Sequence, residues 1–296
     1  MSRQPIATDP REMGPKPPFP AQEQQPVGSE RKMEPEPDYG ETSYQGHGRM
    51  KGKVALITGG DSGIGRAVAL AFVREGADVL ISYLDEHADA KKTVEVCEKE
   101  EGRRCVAVPG DLADPAHCEA LVDRCISEFG RLDVLVNNAA YQMTFNSIRE
   151  VSAEELEKTY RTNVFAMFHL SKKALERLPP GGAIINTTSI QAYQPSPPLI
   201  PYSTTKGAIL TFTKALAEEA IKQGVRVNAV APGPVWTPLI PYSFPGEHVA
   251  EFGGDTPIGR PAQPAELAPT YVFLATPDSS YIVGERIGVT GGKPLP

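Results

Sequence analysis

Residues 54–65 read VALITGGDSGIG, and this stretch decides the fold of the chain. An apolar run of strand length ends in glycines, and apolar residues then recur at helical spacing over residues 63–75. Gly59, Gly63 and Gly65 allow a tight turn, a close approach of the backbone to a pyrophosphate, and close packing of helix on strand. Because the helix N-terminus would face the anion, the unit predicts a dinucleotide-binding loop. A glycine turn used only for packing is the alternative.

The same alternation of strand and helix continues along the chain. Five further strand-length apolar runs lie at residues 78–83, 103–108, 132–136, 183–188 and 225–231. Helical spacing is found at residues 86–101, 115–129, 152–177 and 202–223. This alternation predicts an α/β fold in which a doubly wound, Rossmann-like parallel sheet of about seven strands carries helices on both faces. We expect a single domain over residues 49–296.

Residues 1–48 differ in composition from the rest, since they are rich in Pro, Gln, Glu and Gly and nearly free of branched apolar residues. A segment of this kind buries too little surface to offset its ordering entropy. We therefore expect a proline-rich N-terminal arm that is disordered or draped over a partner surface, with Met33 and Tyr39 among its apolar anchors. A flexible tail without a role is the alternative.

The overall composition excludes several classes of protein. Of the 296 residues, 40% are hydrophobic and 23% charged, which is ordinary for a globular protein. The formal net charge of −7 argues against a nucleic-acid partner, because a phosphate backbone needs a concentrated basic face. The apolar runs are of strand length, which predicts no membrane partner and a cytoplasmic location. The four cysteines lack the spacing of zinc ligands, which predicts reduced thiols and no metal site.

Tyr202 is the only one of ten tyrosines that is followed by a lysine, Lys206, four residues later. One helical turn would place both side chains on the same face. There the ammonium is expected to lower the pKa of the phenol from about 10 toward neutrality. Such a pair can donate and accept the proton of an alcohol, and an ordinary surface pair is the alternative.

Further landmarks resemble the short-chain dehydrogenase/reductase family. The glycine loop has the family's spacing, and residues 137–140 read NNAA where the family has NNAG. Ser189 precedes Tyr202 by the family's usual 13 residues. Asn163 lies in the long fourth helix, and a Pro-Gly pair at 232–233 follows the sixth strand. These landmarks occur in the family's order along residues 50–292.

Two longer stretches, INTTSIQAYQ at 185–194 and VAPGPVWTPLIP at 230–241, are similar to the subgroup of glucose and ribitol dehydrogenase homologues. The resemblance implies an NAD(P)-dependent oxidoreductase that interconverts an alcohol (a sugar, polyol or small alcohol) and its carbonyl. The interval of four between tyrosine and lysine favours this chemistry over that of the family's enoyl reductases, whose interval is longer. A cofactor-binding protein with a sensing or structural role is the alternative.

The resemblance also implies which residues act. Tyr202 would be the general acid/base, with Lys206 as its charged neighbour beside the nicotinamide ribose. Ser189 would hold the substrate oxygen, and Asn163 would anchor a water that reaches Lys206. The implied cofactor contacts are Gly59, Asp61, Ser62, Gly63, Ile64, Gly65, Tyr83, Asp111, Leu112, Asn138, Ala139, Tyr202, Lys206, Pro232, Gly233, Val235 and Thr237. The implied substrate contacts are Ser189, Gln191, Tyr193 and Trp236.

The choice between NAD and NADP depends on the end of the second strand and on the glycine loop. Tyr83 stands where NAD-specific relatives usually carry Asp, and no Arg or Lys stands at residues 60–62 to bind a 2′-phosphate. The carboxylate of Asp61 would repel that phosphate, so the sequence favours NAD over NADP. A basic side chain of the second helix, Lys91 or Lys92, reaching round to the phosphate is the alternative.

Residues 234–257 follow the sixth strand and carry Trp236 and other aromatic residues among prolines. In the family this region is the lid over the substrate, and a packed surface loop is the alternative. Family members are commonly homotetramers that use the fourth and fifth helices for one contact. The resemblance therefore implies a homotetramer with the arm on a neighbouring subunit, acting on a small-molecule alcohol or carbonyl.

Overall fold

Seven parallel strands form one sheet in the part of the chain that the structure describes. The computed structural model describes residues 9–25, 27–100 and 102–295. The strands are Val54–Thr58 (β1), Asp78–Tyr83 (β2), Cys105–Pro109 (β3), Val134–Asn137 (β4), Ala183–Thr187 (β5), Arg226–Pro232 (β6) and Arg286–Val289 (β7). Their order across the sheet is β3-β2-β1-β4-β5-β6-β7. The prediction of a doubly wound parallel sheet of about seven strands is confirmed.

The inner strands are buried on both faces. Every residue of β1, β5 and β6 is buried. Leu56 of β1 pairs with Leu80 of β2 on one side and with Leu135 of β4 on the other. Since the chain continues from β1 to β2 but β4 lies on the other side of β1, the sheet reverses its order here and leaves a cleft at the carboxyl ends of these strands.

Helices cover both faces of the sheet. In the described residues the α-helices are Gly63–Arg74 (α1), His87–Glu98 (α2), Pro115–Phe129 (α3), Ala153–Tyr160 (α4), Ala166–Leu175 (α5), Ile200–Ala220 (α6), Leu239–Ser243 (α7), Gly246–Ala250 (α8) and Pro264–Ala275 (α9). Helix α1 packs on α9, and α3 packs on α5. The helix predicted at 152–177 consists of α4 and α5 joined by a π-helical turn, Arg161–Phe165. None of these helices is long and apolar enough to cross a membrane.

The described part of the N-terminal arm lies on its own chain, where the sequence predicts disorder or a contact with a partner. The Phe19 amide donates to the carbonyl oxygen of Ala250 at 2.8 Å, and the Trp236 indole donates to that of Pro35 at 2.7 Å. An apolar cluster joins arm and lid and contains Phe19, Met33, Trp236, Ile240 and Val249. The arm has few apolar residues, but the folded lid gives them a surface to pack on. Residues 1–8 and 26 lie outside the described part.

The four cysteines are buried and free. Cys97 and Cys105 lie in the apolar core on one side of the sheet, and Cys118 and Cys125 lie in the core on the other side. Burial raises the pKa of the Cys118 and Cys125 thiols to about 12, which disfavours the thiolate that a metal would need. Within the described residues, no group of three or more His, Cys, Asp or Glu side chains is placed to hold a metal ion.

Candidate active site

A cavity of about 380 Å³ opens at the carboxyl ends of the strands, where the sheet order reverses. Its walls come from the β1–α1 loop, the ends of the next strands, the first turns of α6 and the lid. Val27 and Gly28 of the N-terminal arm line it as well. All the implied cofactor contacts except Gly65 line this one cavity. The topology therefore gathers residues that are up to about two hundred positions apart in sequence.

Glycine is required at three positions of the loop between β1 and α1. Gly59 and Gly63 have φ angles of +62° and +50°, which residues with a side chain rarely adopt. A Cβ on Gly65 would lie 1.9 Å from the carbonyl oxygen of Gly59, so this glycine permits the packing of helix on strand rather than lining the cavity. The first amides of α1 have no partner within the helix and lie at the cavity. The loop therefore fits a dinucleotide pyrophosphate.

Asn138, at the end of β4, supports the glycine loop from the neighbouring strand. Its Nδ2 atom donates to the carbonyl oxygens of Thr58 and Gly59, at 3.0 and 3.3 Å. The amides of Asn138 and Ala139 donate to the Thr58 hydroxyl, at 2.9 and 3.1 Å. These bonds explain why an asparagine follows β4. They hold the backbone of the loop at the carboxyl ends of β1 and β4, where the order of the sheet reverses.

The end of the cavity at the glycine loop is acidic. Asp61 is buried, and burial raises the pKa of its carboxyl to about 6. The two lysines that the sequence offers as alternatives pair with other acids: Lys91 lies 3.7 Å from Glu95, and Lys92 lies 3.3 Å from Glu41. In this structure neither lysine is directed at Asp61.

Tyr202 and Lys206 lie one turn apart on α6, and both are buried. The Lys206 ammonium nitrogen lies 5.2 Å from the centre of the Tyr202 ring and donates to the carbonyl oxygen of Thr187 at 2.8 Å. The Thr188 hydroxyl donates to the carbonyl oxygen of Lys206 at 2.8 Å. The end of β5 thus fixes this turn of α6, and the pair is not the ordinary surface pair that its spacing also allows.

The pKa of Tyr202 is shifted in the direction opposite to the one that the sequence predicts. Burial raises the pKa of Tyr202 above its ordinary value of 10.0, although a hydrogen bond with Ser189 lowers it. Burial also lowers the pKa of Lys206 to about 7. The expected lowering of the phenol pKa by a nearby ammonium is therefore not seen here. The physical reason is that desolvation acts on both groups and disfavours both charged forms.

Ser189 and Asn163 are placed differently with respect to the cavity. Ser189 lines it, and its hydroxyl also accepts from the Gln191 amide at 3.1 Å as the cap of a short helical turn. Asn163 lies behind the cavity in the π-helical turn, where it exchanges two hydrogen bonds with the backbone of Tyr141, at 2.7 and 2.9 Å. A separate cavity of about 10 Å³ is lined by Asn163 and Thr187, the residue whose carbonyl oxygen binds Lys206.

Two of the implied substrate contacts lie outside the cavity. Trp236 is 0% exposed and packs on Phe19 of the arm, with ring centres 4.4 Å apart. The Tyr193 hydroxyl accepts from Arg286 at 3.2 Å, and Tyr193 does not line the cavity. The lid turns Trp236 inward because the arm supplies an apolar surface and a carbonyl oxygen for its indole. Gln191 lines the cavity as the sequence implies.

Aromatic side chains from two parts of the chain form one wall of the cavity. Tyr141 follows β4, and Tyr242 comes from the lid; their ring centres are 6.5 Å apart, and both line the cavity. The Tyr242 hydroxyl accepts from the amide of Gln142 at 3.2 Å. Phe244 and Phe252 of the lid complete this wall. The lid stretch is rich in aromatic residues, but the sequence does not show which of them face the cavity.

The fold and the cleft define a dinucleotide-binding protein with a glycine loop at the start of its first helix. Residues 59–293 match a family profile described as "Enoyl-(Acyl carrier protein) reductase". The chain belongs to the short-chain dehydrogenase/reductase family, and it is an oxidoreductase that uses NAD(P). The resemblance stated from the sequence is confirmed.

Individual relatives agree with this family. A Bacillus subtilis protein named uncharacterized oxidoreductase YhdF is 57% identical over 92% of this chain and 93% of its own length. A carrot (Daucus carota) protein named glucose and ribitol dehydrogenase is 45% identical over 92% of this chain and 94% of its own. The crystal structure of a Burkholderia cenocepacia short chain dehydrogenase in complex with NADP has a TM-score of 0.78 and 32% identity, covering 82% of this chain and 98% of the other.

Proposed function

We propose that the protein interconverts an alcohol and its carbonyl compound, with Tyr202 as the general acid/base. The observation that carries this proposal is the convergence of Tyr202, Lys206 and Ser189 on the cavity that the glycine loop also lines. When bound, the dinucleotide supplies or accepts the hydride. The interval of four between tyrosine and lysine supports alcohol and carbonyl chemistry over reduction of a C=C bond, although the matching profile carries the name of enoyl reductases.

The side chains have distinct parts in the proton transfer. Tyr202 passes its hydroxyl proton to the substrate oxygen in reduction and takes it back in oxidation. Ser189 holds that oxygen and stabilises charge that develops on it. Lys206, whose pKa is lowered to about 7 by burial, exchanges a proton near neutral pH and stabilises the tyrosinate when charged. The small cavity between Asn163 and Thr187 supports a water there that links Lys206 to further proton exchange.

A substrate screen with a matched pair of variants tests this function. Alcohols, polyols, sugars and aldehydes are screened by nicotinamide absorbance with both coenzymes. Tyr202→Phe should lower kcat by about 10²- to 10⁴-fold, as expected for loss of a general acid/base. Tyr193→Phe removes the same atom outside the cavity and should keep kcat within about twofold. If Tyr202→Phe retained most of its rate, the assignment would be wrong, and coenzyme binding without turnover of any substrate would favour the sensing or structural alternative.

We propose a sugar, polyol or other small hydroxy compound as the substrate class. The relative named glucose and ribitol dehydrogenase supports a sugar or polyol. The wall of the cavity combines the aromatic rings of Tyr141 and Tyr242 with the amide of Gln191. Rings of this kind pack against the C–H faces of a sugar or polyol, and the amide can bind its hydroxyls. Activity restricted to long apolar aldehydes in the same screen would contradict this class.

We propose a preference for NAD over NADP. A 2′-phosphate near Asp61 would meet a carboxylate, and the basic residues that line the described cavity, Lys158 and Lys206, contact Tyr141 and Thr187 instead. Initial rates with each coenzyme at equal concentration measure the preference. Asp61→Asn should improve the relative rate with NADP, and a strong preference of the wild type for NADPH would overturn the proposal.

We propose a homotetramer with one contact on the fourth and fifth predicted helices. In the structure the fourth is α4, the π-helical turn and α5, and the fifth is α6. Leu156, Phe165 and Phe168 on the fourth are 43%, 47% and 51% exposed. Large apolar side chains grouped on one surface are typical of an interface between subunits. Light scattering should give four times the mass of the chain, and Phe168→Glu should give a smaller species. A monomeric wild type would refute the proposal.

We propose a cytoplasmic location, which the four free, buried cysteines support. Free thiols are common in reducing compartments, whereas secreted proteins usually pair their cysteines. Cell fractionation with antibodies to the protein tests this, and recovery mainly from a secreted or membrane fraction would contradict it.

A further inference from the structure

The N-terminal arm enters the dinucleotide cleft of its own chain. Val27 and Gly28 line the cavity. A Cβ on Gly28 would lie 2.4 Å from the carbonyl oxygen of Pro238, so only glycine lets the arm run this close to the lid. The arm therefore has to be in place for this wall of the site to be complete.

Two arm residues fix this segment to α2. The Ser29 hydroxyl and the Glu30 amide both donate to Oδ2 of Asp89, each at 2.9 Å. All three residues are buried, with exposed fractions between 0% and 2%. Polar groups that are buried and mutually bonded hold one geometry, because breaking a bond leaves an unpaired polar group in the interior.

The carboxylate of Glu30 caps α1 from outside the helix. Its Oε2 atom accepts from the amide of Gly63 at 2.5 Å, although the two residues are 33 positions apart. Ser62 has the position of the cap but makes no side-chain cap bond, and the first turn of α1 carries no acidic residue. Glu30 thus supplies the acceptor that most helices take from their own first residues.

Arg66 connects Glu30 to the glycine loop and to α2. Its Nη1 atom lies 3.1 Å from Oε1 of Glu30, and its Nη2 atom donates to the carbonyl oxygens of Asp61 and Asp89, at 2.6 and 3.0 Å. Burial raises the pKa of Glu30 to about 7, although Arg66 and the Gly63 amide lower it. A neutral amide at this position is therefore a fair comparison with the native side chain.

We propose that Glu30 is a positioning residue of the dinucleotide site, through which the arm holds the glycine loop in its binding shape before the coenzyme arrives. The bond to Gly63 fixes a residue whose φ angle is +50°, between Ser62 and Ile64, which both line the cavity. A loop that is ordered beforehand loses less entropy on binding. The proposal concerns how the site is assembled, and it depends on dinucleotide binding but not on the substrate.

Two substitutions with the same change of charge isolate the bond to Gly63. Glu30→Gln keeps an oxygen that can accept from the amide, whereas Glu30→Ala does not. Calorimetric titration of each folded variant with NAD and with NADP gives the dissociation constants. The dissociation constant for the preferred coenzyme should be at least about fivefold higher in Glu30→Ala than in Glu30→Gln.

Glu34→Gln is the control in the arm, since Glu34 is exposed and bonds to Gln22 through its backbone. This variant should bind coenzyme as the wild type does. A merely structural role would lower the unfolding temperature of Glu30→Ala without changing the affinity of the folded protein. Dissociation constants of the Ala and Gln variants within twofold of each other would therefore overturn the proposal.

Hydrogen exchange of the wild type tests the same bond even if Glu30→Ala does not fold. The Gly63 amide should exchange slowly in the full-length protein without coenzyme, because Glu30 already binds it. Exchange at the rate of an unprotected amide would overturn the proposal. The titrations and the hydrogen exchange need no substrate, so they can be interpreted even if the substrate screen finds no turnover. Failure of the proposed function is therefore distinguishable from failure of this inference.

Discussion

Lys206 should make the stability of the protein depend strongly on pH. Its side chain is 1% exposed, and burial lowers its pKa from an ordinary 10.5 to about 7. Between these values the unfolded chain holds a proton that the folded protein has lost, so stability rises with pH. The slope is about 1.4 kcal/mol per pH unit, and the full difference is about 5 kcal/mol. Below about pH 7 Lys206 is protonated in the folded protein as well, so the free energy of unfolding is lowered by the full cost of burying its charge.

Lys206→Met isolates this effect, because methionine fills a similar volume without a titrating group. Urea unfolding of both proteins, followed by Trp236 fluorescence, gives their free energies of unfolding at several pH values. Other titrating groups are common to both proteins and largely cancel in the difference. The stability of the wild type relative to the variant should rise by about 2 kcal/mol between pH 7.0 and 8.5. A constant difference over this range would refute the reasoning, since Lys206 would then keep its proton when folded.

Two further predictions concern the glycine loop and the arm. Gly65→Ala should weaken coenzyme binding by at least about tenfold, because its Cβ would lie 1.9 Å from a backbone oxygen. The control is Gly207→Ala on α6, where a Cβ meets open space, and it should leave coenzyme affinity nearly unchanged. Calorimetric titration measures both affinities. Glu75 is buried, and hydrogen bonds from Arg49 and Tyr44 outweigh burial and lower the pKa of its carboxyl to about 2. Its stabilisation is present above about pH 4.5 and is lost as the pH falls toward 2. Glu75→Gln should therefore be about 3 kcal/mol less stable at pH 7 and less sensitive to acid in thermal unfolding.

Elements with a strong local pattern were predictable. The strand at 54–58 and the helix at 115–129 begin and end at the predicted residues, because apolar periodicity and flanking glycine or proline fix both ends locally. Helix α9 was not predicted, since Pro264 and Pro269 obscure its pattern. Its capping box, formed by Gln263 and Glu266, was a signal that could have found it.

The predicted site residues fall into two groups, those whose position is set by local structure and those whose position depends on distant residues. Apart from Gly65, the predicted residues of the glycine loop and of α6 line the cavity, because a loop or a helical turn sets their direction over a few positions. Trp236 and Tyr193 lie outside it, because their directions depend on Phe19 and Arg286, which are distant in sequence. The role of Glu30 could not be predicted, because nothing in the sequence around it indicates a hydrogen bond to Gly63.

The sequence by itself determined the doubly wound sheet, the dinucleotide loop and the spacing of Tyr202 and Lys206, because each depends on short-range periodicity and backbone geometry. Only the tertiary structure decided that the arm lies in the cleft of its own chain and that Glu30 caps α1. It also decided the protonation of Lys206, because the free energy of a charge depends on the solvent and the groups around it, and folding sets both.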